Sequence, residues 1–244
     1  MARTVLVTGG SRGIGAAAVR RFAEAGDRVA LNYCTHREQA EALAEELRQS
    51  GYPVETFRAD VSDPAAVAAM VGAVEKKFGT VDVLVNNAGI AGQQLFADIT
   101  PEEWDRFFAV NVKGMYLCAR AVLSGFLRKQ RGCIVNLSSI WGITGASCEV
   151  HYSAAKAAVI GFTKALAKEL GPSGVRVNCV APGVVDTEMN GALTPETLEE
   201  LREETPLGVI GTPEQIAETI FFLASDKAGF ITGQVVSPNG GFCI

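Results

Sequence analysis

Short apolar runs alternate along this chain with segments in which apolar residues recur at the spacing of an α-helix. The runs typical of strands are residues 4–7, 29–32, 54–57, 81–85 and 175–180. After the first run, Val19, Phe22 and Ala23 mark the apolar face of a helix. Such alternation predicts an α/β protein with a parallel sheet. Because no Pro- or Ser-rich linker, charge block or shift of composition divides the sequence, we predict a single domain over residues 1–244.

Composition and charge narrow the class of protein. Hydrophobic residues make up 48% of the chain, yet no apolar run approaches the ~20 residues that a membrane span needs. Met-Ala-Arg leads directly into the first strand without the apolar stretch of a signal peptide, so we expect a cytoplasmic protein with no membrane partner. The formal net charge of −5 argues against nucleic acid as a partner. One basic run, residues 128–131, is interpreted as the last turn of a helix that Gly132 ends.

Six cysteines are distributed along the chain without a Cys-x-x-Cys pair. They occupy positions 34, 118, 133, 148, 179 and 243 and lie mostly within apolar segments. This distribution favours reduced thiols in the core over disulfides or a zinc site. We therefore expect neither a bound metal nor a disulfide framework.

A glycine-rich turn follows the first strand and leads into the first helix. Its glycines allow a tight bend in which backbone N–H groups approach a pyrophosphate at the N-terminus of the helix. The members of the turn predicted to contact a cofactor are Gly9, Ser11, Arg12, Gly13, Ile14 and Gly15. A glycine motif alone is weak, but a second strand follows the helix, as a dinucleotide-binding fold requires. The sequence therefore predicts a dinucleotide site.

Further motifs occur along the rest of the chain. They are Asn-Asn-Ala-Gly at 86–89, Asn111 in a Val-Asn-Val triplet, Asn-Leu-Ser-Ser at 136–139, Tyr-x-x-x-Lys at 152–156, Pro-Gly at 182–183 and Asn-Gly-Gly at 239–241. With the spacing Gly-x-x-x-Gly-x-Gly in the first turn, the chain resembles the short-chain dehydrogenase/reductase family over essentially all of its 244 residues. The resemblance implies a single-domain, Rossmann-type, doubly wound parallel sheet of about seven strands with helices on both faces.

Tyr152 and Lys156 are the centre of the predicted chemistry. Residues four apart on a helix share a face, so the Lys156 ammonium would lie one turn from the Tyr152 phenol and lower its pKa. The resemblance implies that Tyr152 donates a proton to a substrate carbonyl oxygen, that Ser139 hydrogen-bonds this oxygen, and that Lys156 also binds the nicotinamide ribose. Asn111 would hold a water that links Lys156 to solvent. The spacing to the tyrosine in the family selects Ser139 rather than Ser138.

The end of the second strand indicates which nicotinamide cofactor is bound. An enzyme for NAD usually offers a carboxylate to the ribose 2′-hydroxyl there, but residues 32–37 contain no acid. Arg12 and Arg37 could instead meet a 2′-phosphate, and we predict NADPH. Arg37 could equally be a solvated residue that begins the next helix. The resemblance adds further cofactor positions, which are Asn32, Asp60, Val61, Asn87, Ala88, Gly89, Tyr152, Lys156, Pro182, Gly183, Val185 and Thr187.

Within the family the chain is most similar to bacterial 3-oxoacyl-[acyl-carrier-protein] reductases. This similarity implies an NADPH-dependent carbonyl reductase that converts a small or carrier-attached ketone to a secondary alcohol. Two departures open an alternative. Residues 186–210, which resemble a mobile substrate lid, are rich in acids and would repel an acidic carrier protein. Ser173 stands in a loop where the carrier-protein reductases often place a basic residue. Apart from these two departures, Glu149, predicted with Ser139 and Trp141 to line the substrate pocket, could receive an amine.

Three interpretations of the function remain open. The lid acids and Glu149 could be solvated residues without a role, which leaves the carrier-protein substrate. They could instead recognise a cationic substrate, as in the family member that reduces the 5-aminopentanone group on elongation factor P in Gram-positive bacteria. A different class is an NADPH-binding sensor or scaffold without turnover, against which the complete catalytic set argues. The resemblance also implies a homotetramer, whose contacts the apolar helix faces at 110–123 and 159–170 could supply.

Overall fold

The computed structural model describes residues 2–188 and 194–244, and its centre is one sheet of seven parallel strands. The strands are β1 (Thr4–Val7), β2 (Arg28–Tyr33), β3 (Val54–Arg58), β4 (Val83–Asn86), β5 (Gly132–Leu137), β6 (Val175–Val180) and β7 (Val235–Val236). Their order across the sheet is β3-β2-β1-β4-β5-β6-β7. Every strand pair in that order is parallel.

Helices cover both faces of this sheet. They are α1 (Gly13–Glu24), α2 (Arg37–Gln49), α3 (Pro64–Phe78), α4 (Pro101–Phe108), α5 (Gly114–Lys129), α6 (Trp141–Thr144), α7 (Val150–Leu170), α8 (Pro195–Glu203) and α9 (Pro213–Ala224). α1, α2 and α9 pack on one face, and α3, α5 and α7 pack on the other. The predicted doubly wound parallel sheet is therefore confirmed. In the part of the chain that is described, no helix is long and apolar enough to cross a membrane.

Alternate residues of the central strands enter the two halves of the core. In β1, Val5 and Val7 pack with α1, α2 and α9, whereas Leu6 packs with α3, α5 and α7. All four residues of β1 are buried. A sheet that is covered on both faces needs apolar side chains at successive positions, which explains the continuous apolar runs in the sequence.

The strand order determines where a ligand can bind. β1 lies between β2 and β4, so the sheet grows in opposite directions from the boundary between β1 and β4. In open α/β sheets a crevice forms at such a boundary, outside the carboxyl ends of the strands. The glycine turn follows β1, the Asn-Asn-Ala-Gly motif overlaps the end of β4, and the serine pair follows β5. All three motifs therefore lie at the same edge of the sheet.

The basic run at 128–131 closes a helix, as expected, but Gly132 does not end that helix. α5 ends at Lys129, and Gln130 adopts the left-handed conformation with φ of 50°. Gly132 instead begins β5. A Cβ on Gly132 would lie 2.4 Å from the ring of Phe126, so glycine is needed there for the close approach of strand and helix.

All six cysteines are free thiols, but only three of them are core residues. Cys118, Cys133 and Cys179 are buried, and burial raises the pKa of the Cys118 thiol to about 12 and those of the other two to about 11. The prediction of core thiols is wrong for Cys34, which is exposed because it lies just beyond the end of β2. Cys148 and Cys243 are partly buried.

The predicted lid includes α8, which the structure describes. It also includes residues 189–193, which lie outside the described part of the chain. The acidic residues of α8 share an exposed surface; they are Glu196, Glu199, Glu200 and Glu203. This exposure supports the interpretation of these acids as a solvated helix face. Thr197 and Leu201 of the same helix are partly buried and line the second cavity described below.

Candidate active site

The turn after β1 requires glycine for steric reasons. Gly9 has a φ of +63°, and a Cβ there would lie 2.9 Å from the Cα of Ala88. A Cβ on Gly15 would lie 2.2 Å from the carbonyl oxygen of Gly9. Because no larger side chain fits either position without displacing backbone, the turn can pack directly against the segment that follows β4.

The segment after β4 is hydrogen-bonded to this turn. Asn87 donates from Nδ2 to the carbonyl oxygens of Thr8 and Gly9, both at 3.0 Å. The Thr8 hydroxyl accepts from the backbone nitrogens of Asn87 and Ala88, also at 3.0 Å each. These four bonds fix the two loops to each other at the boundary between β1 and β4. They give Asn87 a positioning role in addition to the cofactor contact predicted for it.

A cleft of about 530 Å³ opens beside the turn. Thirteen of the predicted cofactor residues line it, and they are Gly9, Ser11, Arg12, Gly13, Ile14, Gly15, Asn32, Asp60, Val61, Asn87, Ala88, Gly89 and Thr187. At its edge α1 begins with no side-chain cap and with no acidic residue in its first turn. The first N–H groups of α1 therefore remain available to an anion, which fits a pyrophosphate.

Asn32 lines this cleft, but its side chain has a structural role. It is buried, accepts a hydrogen bond from the Gly9 nitrogen at 3.3 Å, and donates to the carbonyl oxygens of Phe57 and Ala59 at 3.2 and 3.1 Å. Both amide donors are thus used within the protein. The Asn32 side chain therefore connects β2 to the glycine turn and to the end of β3, where Phe57 and Ala59 accept its hydrogen bonds.

Asp60 and Val61 lie in the loop between β3 and α3, on the rim of the cleft. The Asp60 carboxylate accepts hydrogen bonds from the nitrogen and the hydroxyl of Ser62 at 2.9 and 2.7 Å. Asp63 accepts from the nitrogen of Ala65 at 2.8 Å and caps α3, which begins at Pro64. The capping and ligand-facing carboxylates of this loop are therefore different residues.

Sequence reasoning missed several residues that line the cleft. These are Tyr33, Cys34, Thr35, His36, Ala59, Ile90, Arg106, Val110 and Glu188. Residues 33–36 follow β2 directly, so their position at the strand end was a usable signal. Arg106 and Glu188 come from distant segments and had no such signal. Arg37, offered as a phosphate ligand, is exposed and begins α2, outside the set of cleft residues.

The predicted catalytic pair lies near the N-terminus of α7. Tyr152 and Lys156 are both buried, and the Lys156 Nζ lies 5.5 Å from the centre of the Tyr152 ring. Lys156 donates to the carbonyl oxygen of Leu137, the last residue of β5, at 2.9 Å. The helix thus presents both side chains at the carboxyl end of β5.

The two serines after β5 have different environments. Ser138 is buried and donates from its hydroxyl to the carbonyl oxygen of Lys156 at 2.7 Å. The Ser139 hydroxyl accepts a hydrogen bond from the nitrogen of Trp141 at 3.2 Å, and a hydrogen bond to Tyr152 also involves this side chain. Ser138 therefore has a structural role, and the geometry favours Ser139 as the substrate-side serine.

The pKa of Tyr152 differs in direction from the sequence-based expectation. Burial raises the pKa of the phenol to about 12; the hydrogen bond with Ser139 opposes this rise, and the charge of Glu149 adds to it. Burial lowers the pKa of Lys156 to about 8, against the attraction of Cys179. The expected lowering of the Tyr152 pKa is wrong here because desolvation dominates and the Lys156 amine bonds to Leu137. Tyr152 is protonated at neutral pH.

Asn111 lies in a single π-helical segment, Ala109–Lys113, between α4 and α5. It donates from Nδ2 to the carbonyl oxygens of Ile90 and Phe107, both at 3.1 Å, and accepts from the nitrogen of Ile90 at 3.2 Å. A Cβ on Gly89 would lie 2.6 Å from the Asn111 Oδ1 and 3.4 Å from the Lys156 Nζ. The side chains of Asn111 and Lys156 thus both lie close to Gly89. A π-helical turn often marks a functional site.

A second cavity, of about 560 Å³, adjoins the first. Residues of both predicted sets line it, and they are Ser139, Trp141, Glu149, Tyr152, Pro182, Gly183, Val185 and Thr187. Ile14 and Thr187 line both cavities, so the two spaces meet there. The three predicted substrate residues are therefore brought together with Tyr152. The sequence did not indicate that Phe242 packs edge-on against Trp141, with ring centres 5.8 Å apart.

Glu149 is half-buried at the start of α7 and lines the second cavity. Burial raises the pKa of its carboxyl group, and a hydrogen bond from Gln93 at 3.4 Å opposes this rise. Gln93 also lines the cavity and had no signal in the sequence. The interpretation of Glu149 as an exposed residue is therefore wrong, whereas the acids of α8 do point to solvent.

Known proteins match this chain over almost its full length. The model of a family described as enoyl-(acyl carrier protein) reductase matches residues 9–243. A 3-oxoacyl-[acyl-carrier-protein] reductase FabG of Staphylococcus aureus (strain Mu50) is 43% identical over 241 residues, which cover 99% of this chain and 98% of that protein. An acetoacetyl-CoA reductase of Rhizobium meliloti (strain 1021) is 45% identical over 242 residues, with coverage of 99% and 98%.

A solved structure shares the fold as well as the sequence. The crystal structure of a 3-oxoacyl-[acyl-carrier protein] reductase from Brucella melitensis superposes with a TM-score of 0.93 at 36% identity, and covers 99% of this chain and 92% of that one. The matched range includes the glycine turn, the catalytic helix and the closing Asn-Gly-Gly motif. The chain therefore belongs to the short-chain dehydrogenase/reductase family.

Proposed function

We propose that this protein is an NADPH-dependent carbonyl reductase that converts the ketone of a 3-oxoacyl thioester to a secondary alcohol. One observation carries the proposal. Tyr152 and Ser139 line a single cavity, and that cavity meets the glycine-lined cleft at Ile14 and Thr187. A ketone in the second cavity would therefore lie beside a dinucleotide in the first. The names of two relatives, a 3-oxoacyl-[acyl-carrier-protein] reductase and an acetoacetyl-CoA reductase, support this substrate class.

The side chains suit the reduction of a carbonyl group. A bound nicotinamide cofactor supplies a hydride to the carbonyl carbon. Negative charge then develops on the carbonyl oxygen, where the hydroxyl groups of Tyr152 and Ser139 are hydrogen-bond donors. Because the pKa of Tyr152 is raised to about 12, its phenol still carries the proton that it gives to this oxygen. Lys156, whose pKa is lowered to about 8, can exchange a proton with solvent near neutral pH.

NADPH is the proposed form of the cofactor. Arg12 lines the cleft, and residues 33–36 at the end of β2 place a thiol, a hydroxyl and an imidazole there but no carboxylate. A guanidinium forms charge-assisted hydrogen bonds with a phosphate, so Arg12 is the proposed ligand of the 2′-phosphate. Arg37 is not part of this proposal, since it lies outside the cleft.

A substrate panel tests the reaction. We would measure oxidation of NADPH and of NADH with acetoacetyl-CoA, crotonyl-CoA, a neutral ketone and an amino-ketone. The proposal expects preference for NADPH and for acetoacetyl-CoA, with no reduction of the double bond of crotonyl-CoA. Crotonyl-CoA is included because the matching family model is described as an enoyl reductase. Reduction of crotonyl-CoA alone would contradict the proposed reaction.

A cationic ketone is the second candidate substrate, and Glu149 is the observation that favours it. Its carboxylate lies half-buried in the same cavity as Tyr152, where an ammonium group would form a partly desolvated ion pair. The 5-aminopentanone group on elongation factor P is a substrate of this type. The acids of α8 do not add to the argument, since they are exposed to solvent.

The variant Glu149→Gln separates the two candidates. If the amine binds Glu149, kcat/KM should fall about tenfold for the amino-ketone and change less than about twofold for the neutral ketone, a difference near 1.4 kcal/mol. The matched control is Glu199→Gln, which removes the same charge from the exposed face of α8. Equal changes for both ketones would exclude the amine.

Two further properties belong to this proposal. We infer a cytoplasmic homotetramer, in which the outer faces of α5 and α7 meet their copies. Tyr116 and Leu127 of α5 are 42% and 39% exposed, which leaves apolar surface on that helix for a contact. Light scattering of the purified protein would give the mass directly. The alternative from another class is a sensor or scaffold that binds NADPH without turnover. The absence of NADPH oxidation in single-turnover experiments with every ketone of the panel would favour it.

A further inference from the structure

Arg12 forms an ion pair across the mouth of the cofactor cleft. Its Nη1 donates to the Oε2 of Glu188 at 3.0 Å, and the side chains of Arg12 and Glu188 are 41% and 55% exposed. Both residues line the cleft. The pair joins the glycine turn after β1 to the segment that follows β6, although the two residues are 176 positions apart. The guanidinium proposed to bind a phosphate is therefore already bonded to a carboxylate.

The backbone around Glu188 brings it to this position. Val185 forms an isolated parallel bridge with Gly211, and the nitrogen of Asp186 donates to the carbonyl oxygen of Gly211 at 2.9 Å. Thr187 then meets the turn closely, because a Cβ on Gly13 would lie 3.4 Å from the Thr187 Cγ2. The Thr187 side chain thus lies close to the glycine turn beside the ion pair. Glu188 is held near Arg12 by more than the attraction of the two charges.

Among the charged residues of the cleft, Glu188 is the one that would compete with a phosphate for the Arg12 guanidinium. Its lining includes two carboxylates, Asp60 and Glu188, and the Asp60 carboxylate bonds to Ser62. The remaining cleft arginine, Arg106, forms no ion pair among the described residues 2–188 and 194–244. A phosphate that approaches Arg12 must therefore displace Glu188 or share the guanidinium with it.

We propose that Glu188 is a specificity-determining residue that limits the preference for the phosphorylated dinucleotide by competing for Arg12. This inference depends on the proposed role of Arg12 toward the 2′-phosphate. An exposed ion pair is weak, whereas an arginine–phosphate pair is charge-assisted and can be bidentate, so the exchange favours the phosphate. A dinucleotide without the 2′-phosphate leaves the ion pair intact. The carboxylate therefore weakens binding of NADP and leaves that of NAD unchanged.

Binding to charge variants tests this without any turnover. Dissociation constants for NADP⁺ and NAD⁺ would be measured by calorimetry at low salt for wild type, Glu188→Gln, Glu188→Asp and Glu196→Gln. Glu188→Gln should tighten NADP⁺ about two- to fivefold, the range expected for an exposed ion pair, and leave NAD⁺ unchanged. Glu196→Gln removes the same charge from a fully exposed site on α8 and should leave the ratio of the two constants unchanged.

The double variant identifies the partner of Glu188. In an Arg12→Gln background, Glu188→Gln should no longer tighten NADP⁺. Equal changes for NADP⁺ and NAD⁺, or no change relative to Glu196→Gln, would overturn the inference. Because only binding is measured, the result is independent of the ketone panel: a shift of the NADP⁺ constant would stand even if no ketone were reduced.

Discussion

The cofactor cleft and the substrate cavity share Ile14 and Thr187, but they differ in whether backbone or side chains supply the features that recognise a ligand. The cleft is formed largely by backbone, with glycines where a Cβ would collide with a neighbouring chain segment and with free N–H groups at the start of α1. The substrate cavity is formed by side chains, including Trp141, Glu149 and Tyr152. Backbone recognition follows from local sterics, whereas side-chain recognition changes with single substitutions. The chemistry of the first region is therefore easier to infer than the substrate of the second.

The largest effect should come from removing the proton donor of the substrate cavity. Tyr152→Phe leaves the ring in place but removes the hydroxyl, so kcat for ketone reduction should fall roughly 10²–10⁴-fold. The dissociation constant for NADPH should change little, because the cleft is formed mainly by other residues. Steady-state kinetics and fluorescence titration with NADPH check the two parts.

The matched control for this change is Tyr116→Phe. Tyr116 lies on α5, is 42% exposed and accepts a hydrogen bond from Arg120 at 3.0 Å. Its variant should keep wild-type kcat. A Tyr152→Phe protein that retains more than about a tenth of the wild-type rate would show that another group supplies the proton.

A second effect concerns Lys156, which is buried at the carboxyl end of β5. Its pKa is lowered from 10.5 to about 8 in the folded protein, so the unfolded chain binds more protons between these pH values. The contribution of Lys156 to the stability of the wild type should therefore increase as pH rises through this window. Lys156→Met has no such group, and its free energy of unfolding relative to wild type should fall by roughly 2–3 kcal/mol between pH 7 and pH 10.

Urea denaturation at several pH values measures this difference. The difference between the two proteins is used because the raised pKa values of the buried cysteines and of Tyr152 act in the opposite direction above about pH 9 in both of them. Lys164→Met, an exposed position on the same helix, is the control and should show no comparable trend. A flat difference for Lys156→Met would mean that its amine stays protonated in the folded state.

The smallest predicted effect tests the backbone character of the cleft. An added Cβ at Gly15 would lie 2.2 Å from the Gly9 oxygen and 2.5 Å from the Asn87 Nδ2. Gly15→Ala should lower the free energy of unfolding by about 1–3 kcal/mol and weaken NADP⁺ binding roughly tenfold. Thermal and urea denaturation together with calorimetry measure both changes.

Gly72→Ala is the control for this substitution. Gly72 is an exposed residue within α3, and no atom lies within 4 Å of an added Cβ. Alanine there should stabilise the protein by about 0.5–1 kcal/mol through helix propensity. If Gly15→Ala behaved like Gly72→Ala, the close contact of the turn with Asn87 would not be a constraint.

The sequence predicted best those features that depend on neighbouring residues. The turn from Gly9 to Gly15 and the helical pair Tyr152 and Lys156 were accessible because spacing alone defines them. The full sheet and the choice of Ser139 over Ser138 came from the family resemblance. The structure adds a physical reason for that choice, since the Ser138 hydroxyl bonds to the Lys156 carbonyl oxygen.

The features that the sequence did not predict depend on distant contacts and on burial. Glu188 meets Arg12 across 176 positions, and Phe242 packs on Trp141 from the other end of the chain. No local pattern encodes such pairs. The direction of the Tyr152 pKa was wrong because a helical spacing gives the distance to a lysine but not the cost of removing the phenol from water.

The serine pair after β5 has a consequence for how insertions would affect the site. Both serines border the substrate cavity, but the Ser138 hydroxyl donates to the backbone of α7, whereas the Ser139 hydroxyl accepts from the Trp141 nitrogen. The hydrogen bond from Ser138 to the Lys156 carbonyl oxygen fixes the position of the end of β5 relative to α7. Extra residues in the connection at 145–148, between α6 and α7, would lengthen a loop and leave this hydrogen bond in place. One extra residue within β5 would exchange the two serines, so that the loop tolerates length changes that the strand cannot.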